Sequence, residues 1–196
     1  HYSPSFLALS QPKDGGEGDR AIELFDFEMN GVYHRNRETV VLERGDIEHF
    51  ELAQTAVDGD GTNYRRMVFY SAKETSDEGD VQSRLYGLYL EPFQREGRTL
   101  TFEVTKYTYD LTIPAGGRFN LAYIGDVPYL YWLTTAPMDS EDDPRAYRIM
   151  ISAYDMATNT MTDPAVYAEF QLPKNKYSRS YKENKKTKKY SIDLTQ

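Results

Sequence analysis

The sequence predicts an all-β protein built of antiparallel four-stranded meander units, arranged as propeller-like blades or as a β-sandwich. Three observations predict it. The first is an internal echo: Tyr64–Ala72, Ser83–Leu90 and Thr99–Val104 recur in plan as Tyr129–Ala136, Tyr147–Ala153 and Val166–Phe170. Ala72 and Ala136 stand 64 residues apart in that scheme, and a fixed interval of this size marks a repeated supersecondary unit. The second is composition, since 17 Tyr and 9 Phe join Thr, Val and Ile in favouring a pleated surface. The third is the punctuation of short apolar runs by turn residues, without long Ala/Leu/Lys/Glu windows of helical period.

Residues 1–46 form an incomplete N-terminal β segment in this reading. Ser5–Leu9 and Ala21–Phe27 flank the Gly-rich turn 13–19, and the second run partly alternates apolar with acidic side chains. Asn30-Gly31 follows, the strongest short hairpin signal in the chain. Val32–Arg35 and Thr39–Glu43 are then expected as two further strands.

Residues 47–112 make the first meander unit, from Ile47–Leu52 through the three repeated strands. Residues 113–173 make the second, which Arg118–Ile124 opens. Four antiparallel strands joined by short turns are the unit of a propeller blade. In the run 147–154, Tyr147, Ile149, Ile151 and Ala153 share one face, while Arg148, Met150, Ser152 and Tyr154 share the other. Apolar groups on both faces fit a sheet covered on both sides. At about 64 residues per unit the chain holds three, one fewer than a closed propeller needs. The units are therefore part of a larger assembly or oligomer, or belong to a sandwich.

Residues 174–196 are a basic, Tyr/Lys-rich tail. Positions 174–189 carry eight basic side chains against Glu183 alone, a local +7, so the net charge of −8 leaves −15 on the rest. Such an acidic body repels phosphates, which excludes nucleic acid as its partner. There is no cysteine, hence no disulfide and no thiolate metal site. No apolar run approaches the roughly 18 residues of a membrane-spanning helix.

Few residues carry a chemical signal. Asp58, Asp60 and Asn63 lie in Asp58-Gly59-Asp60-Gly61-Thr62-Asn63, where closely spaced oxygen donors on a Gly-bent backbone are a candidate Ca2+ site. The loop lacks Gly at its sixth position and Glu at its twelfth, and a tight hairpin accounts for the same letters. No other cofactor is expected. Trp132, the sole tryptophan, clusters in sequence with Tyr123, Tyr129 and Tyr131. Such rings stack on sugars when exposed, with Asp126 and Arg145 placed to bond hydroxyls; core packing is the alternative. Carboxylate pairs such as Glu91 with Glu103 or Asp110 with Asp126 have the chemistry of a glycosidase pair, although 31 acidic residues make chance pairs common. The acidic runs 76–80 and 139–143 fall at the same place in the two units and form candidate docking edges.

The function expected from these features is a non-catalytic binding or scaffolding module of a secreted or surface-exposed bacterial protein. It would engage a protein or a glycan through acidic loop edges, outside the cell or at its surface. A module of a carbohydrate-processing enzyme, with a Trp/Tyr-lined sugar cleft, is the alternative.

Overall fold

The computed structural model describes residues 5–10, 19–30, 33–56, 64–75, 79–91, 94–96, 99–114, 116–135, 146–171, 181–184 and 189–192. Every regular element among them is a β-strand, and every pairing described is antiparallel. Internal contacts divide the chain into two compact units, His1–Trp132 with Ser152–Asp163, and Leu133–Ile151 with Pro164–Gln196. The second meander therefore contributes strands to both.

The first sheet is β1 (Ser5–Ser10), β2 (Arg20–Asn30) and β3 (Tyr33–Gly45), in the order β1-β2-β3. Asn30 pairs with Tyr33, so the Asn-Gly signal falls at a hairpin but one residue early, with Asn30 on the strand and positions 31–32 between the paired residues. The two expected strands Val32–Arg35 and Thr39–Glu43 are instead one. Register shifts at Ile22/Glu23 and Asp26/Phe27 leave one extra residue each on β3, and such bulges let a long strand absorb an interruption in its alternation.

The central sheet follows the predicted meander: β4 (Ile47–Ala56), β5 (Tyr64–Thr75), β6 (Val81–Leu90) and β9 (Val104–Ile113), ordered β4-β5-β6-β9. Its fourth strand corrects the reading of Thr99–Val104. A separate small two-stranded sheet pairs β7 (Gln94–Glu96) with β8 (Thr99–Thr101), and its base is closed by the Glu91 N–H donating to the Glu103 carbonyl at 3.0 Å. The strand that joins the sheet is the next alternating run, in which Tyr109, Leu111 and Ile113 are buried between exposed neighbours. An inward set at period two is what a sheet position with one covered face selects.

The third sheet contains β10 (Asn120–Ile124), β11 (Val127–Thr135), β12 (Ala146–Asp155) and β13 (Thr160–Met161) in that order. β14 (Ala165–Gln171) pairs with the first half of β12, and β13 with its end. The echo of the central meander thus holds as far as the third strand, and the fourth position is shared between two short strands. A last pair, β15 (Tyr181–Asn184) with β16 (Lys189–Ile192), lies in the basic tail.

Within the larger unit the central sheet is covered on both faces. On one, Val68, Tyr70, Tyr86, Leu88 and Leu90 pack with Ile22, Leu7, Leu9 and Leu42 of the first sheet. On the other, Phe69 meets Tyr154 edge-on at 5.0 Å, and His49 meets Phe119 at 5.0 Å. This two-sided burial explains why residues 67–71 of β5 and 85–88 of β6 are buried without alternation.

In the smaller unit β12 and β14 form a two-stranded ladder. Tyr147 stacks on Phe170 at 5.7 Å, and Arg148 Nε bonds Glu169 at 2.7 Å. The register shift between Ile149 and Met150 makes Tyr167 an extra residue on β14, and it is strongly exposed.

Candidate functional site

Trp132 and the three tyrosines near it in sequence do not share a surface. Along β11, Pro128, Leu130 and Trp132 are buried, while Val127, Tyr131 and Leu133 are exposed and Tyr129 is half-buried. Register places Tyr123 opposite Pro128, and Ala122 opposite Tyr129, so directly opposed residues put Tyr123 on the inner face with Trp132, and Tyr129 and Tyr131 on the outer. The Trp132 ring, 5% exposed, is part of the core. Its outward counterparts are Ile124 at 55%, Val127 at 41% and Tyr131 at 36% exposed. Period two, applied to the pair β10–β11, separates what adjacency in sequence joins.

Asp126 is exposed in the two-residue turn 125–126, where Gly125 takes φ +62°; that left-handed conformation suits glycine. Arg145 lies outside the described residues, as do Asp58, Asp60 and Asn63 of the candidate Ca2+ loop and most of the two acidic runs. Among the described residues no group of three or more His, Asp or Glu side chains is placed to hold a metal ion.

Two polar clusters emerge that sequence reasoning missed. One surrounds Glu48, the extra residue where Ile47 pairs with Ala72 and His49 with Ser71. The bulge turns this carboxylate onto the inner face, where it accepts a hydrogen bond from Ser83 and lies 3.9 Å from Lys73 Nζ. Ser71 Oγ donates to the Gly117 carbonyl at 2.6 Å. Gly117 has φ +56°, and a Cβ there would lie 2.4 Å from Glu48 Oε2 and 2.5 Å from Ser71 Oγ. The cluster is therefore filled by main chain. Its chemistry is that of a clamp, holding residues 116–119 against the central sheet, since the Ser71 hydroxyl donates to main chain and the Ser83 hydroxyl to the Glu48 carboxylate, with no room left beside them.

The other cluster joins the first and central sheets. Glu43 of β3 accepts from Lys106 Nζ at 2.7 Å and from the Tyr70 hydroxyl at 3.0 Å. Lys106 also lies 5.0 Å over the Tyr86 ring and 5.7 Å over that of Tyr70, and the two rings stack at 5.1 Å. Burial by itself would raise the Glu43 pKa, but the bonds from Lys106, the Arg44 N–H and Tyr70 outweigh it and hold the carboxyl below its usual range. Burial, reinforced by the Glu43 charge, pushes the Tyr70 phenol far up. The group is a charge-assisted tie between layers. Nothing in the sequence signals it, because Glu43, Tyr70, Tyr86 and Lys106 come from four strands.

A further hydrogen-bonding feature is at the outer strand of the central sheet, where the Tyr123 hydroxyl accepts from the Gln54 N–H at 2.8 Å and donates to the Gln54 carbonyl at 3.1 Å. Among the described residues no helix is long and apolar enough to cross a membrane. Comparison with known proteins finds no matching family, no matching curated sequence and no matching solved structure.

Proposed function

We infer that the protein is a non-catalytic binding or scaffolding module of a secreted or surface-exposed bacterial protein, engaging a protein or glycan through the exposed side and loop edges of its sheets. The observation that carries this reading is the outer side of β10–β11, where Ile124, Val127 and Tyr131 are exposed together and Asp126 occupies the adjoining turn. Apolar side chains grouped on one side of a sheet, with a polar rim, have the character of a contact surface. The acidic runs at 76–80 and 139–143 add negative charge along the chain and favour a basic or hydroxyl-rich partner. A calcium ion held by Asp58, Asp60 and Asn63 is compatible with such a module and is not needed by it. The alternative, a carbohydrate-processing enzyme, draws its sugar platform from Trp132, and the burial of that ring leaves it the weaker support.

A glycan array and an array of extracellular proteins, probed with the wild type and with Tyr131→Ala, test the reading. Binding that falls at least about tenfold in the folded variant supports it, that being the scale of one truncated aromatic anchor. Turnover of any arrayed glycan by the wild type overturns it in favour of the enzyme.

A further inference from the structure

β4 is the outer strand of the central sheet, so one side of it has no hydrogen-bonded strand partner among the described residues, although β10 lies close to it without pairing. In an antiparallel ladder alternate residues turn both their N–H and their C=O to the same side. At Gln54 both groups go to one atom, the Tyr123 hydroxyl, at 2.8 Å and 3.1 Å. A neighbouring strand would satisfy Gln54 in the same pattern, one residue exchanging two hydrogen bonds with one residue. The phenol therefore stands where a paired residue would stand. Tyr123 reaches this edge from β10 and is 44% exposed, so water and an incoming strand can compete for its place.

With Gln54 turned outward, Leu52 and Phe50 turn outward as well, by period two. A second β4 laid antiparallel about Leu52 sets Leu52 against itself, Phe50 against Gln54 and Glu51 against Ala53. No like charges face each other, and Leu52, 36% exposed, gains cover. The segment is thus self-complementary in register and charge, as a two-fold interface requires. Unprotected edges of this kind recruit further strands, and folded proteins block them. We propose that Tyr123 closes the β4 edge against strand addition, and that the strand fitting this edge once open is β4 of a second copy of the chain, paired antiparallel about Leu52.

The proposal is tested on the full chain by light scattering across a concentration series, with amide exchange at Gln54 followed in dilute protein. Wild type is expected at monomer mass. Tyr123→Ala, which removes ring and hydroxyl, is expected to approach twice that mass as concentration rises, and adding Leu52→Lys returns it to monomer by opposing two ammonium groups across the axis. Tyr123→Phe is expected to speed exchange at Gln54 by up to about tenfold, the scale of one lost hydrogen bond. A folded Tyr123→Ala that stays monomeric throughout overturns the proposal, as does a dimer indifferent to Leu52→Lys, a wild type already dimeric, or unchanged Gln54 exchange in Tyr123→Phe. Should Tyr123→Ala fail to fold, Tyr123→Leu, which removes the hydroxyl and the ring but keeps apolar cover, replaces it in the mass measurement with the same outcomes.

Discussion

Tyr70 and Tyr109 lie on opposite faces of the central sheet, and their hydroxyls meet opposite fates. Tyr70 donates to Glu43, whereas the Tyr109 hydroxyl is buried with no hydrogen-bond partner among the described residues. Burial pushes both phenols far above their ordinary range, so both are neutral near pH 7. An unpaired buried hydroxyl costs roughly 1–3 kcal/mol of desolvation, while a bond to a charged acceptor contributes about 1.5–3 kcal/mol. Tyr109→Phe is therefore expected to leave stability unchanged or raise it, and Tyr70→Phe to lower it by about 1.5–3 kcal/mol. Urea denaturation of the two variants beside the wild type measures both, and a Tyr109→Phe loss beyond about 1 kcal/mol contradicts the assignment.

The strands record how a few special residues let regular elements meet. Gly87 in β6 is required by its neighbours: a Cβ there would lie 2.9 Å from both Met67 Sδ and the Tyr109 hydroxyl. Gly87→Ala is expected to cost about 1–3 kcal/mol by overpacking. Part of that cost should disappear in the double variant with Tyr109→Phe, because the hydroxyl that clashes is gone; strictly additive denaturation midpoints would show that the contact is not the cause. At the turn after β12, Asn159 takes φ +57°, a conformation Asn tolerates better than most residues. Its side chain accepts from Tyr154 at 2.6 Å and donates to Tyr107 at 3.1 Å, so the turn is locked to the central sheet as well as bent. Asp155 caps the same turn by accepting from the Ala157 N–H and the Thr158 hydroxyl.

At the scale of the whole larger unit, the cluster of Glu43, Lys106, Tyr70 and Tyr86 is a charged link from the first sheet to the central one, beside the bonds from the Arg20 guanidinium to the Ile47 and Glu48 carbonyls. Because the Glu43 pKa is lower folded than unfolded, its contribution is fully present above the unfolded value near 4.5 and is lost as pH falls through the folded one. Thermal midpoints are thus expected to fall below about pH 4.5 more steeply for the wild type than for Glu43→Gln, whose curve lacks this titration. Parallel curves for the two proteins would remove Glu43 from the acid response.

Much of this architecture was legible in advance because strand formation is a local matter. Alternation, aromatic and β-branched content and the Asn30-Gly31 turn placed the strands of the first and central sheets, and the echo between Tyr64–Leu90 and Tyr129–Ala153 marked two meanders that share their first three strands. Which alternating run joined the central sheet as its fourth strand was not legible, since 99–101 and 104–113 both carry strand character and only the partner sheets decide between them. The same holds for the site: Trp132 and Tyr131 are neighbours in sequence, yet one is core and the other exposed. The sequence by itself determined that the chain is β and where most strands of the first and central sheets fall, through rules that act over a few residues. Only the tertiary structure decided which face each side chain meets, and so that Glu43 finds Lys106 and Tyr123 finds Gln54, because those partners are brought together by packing between sheets.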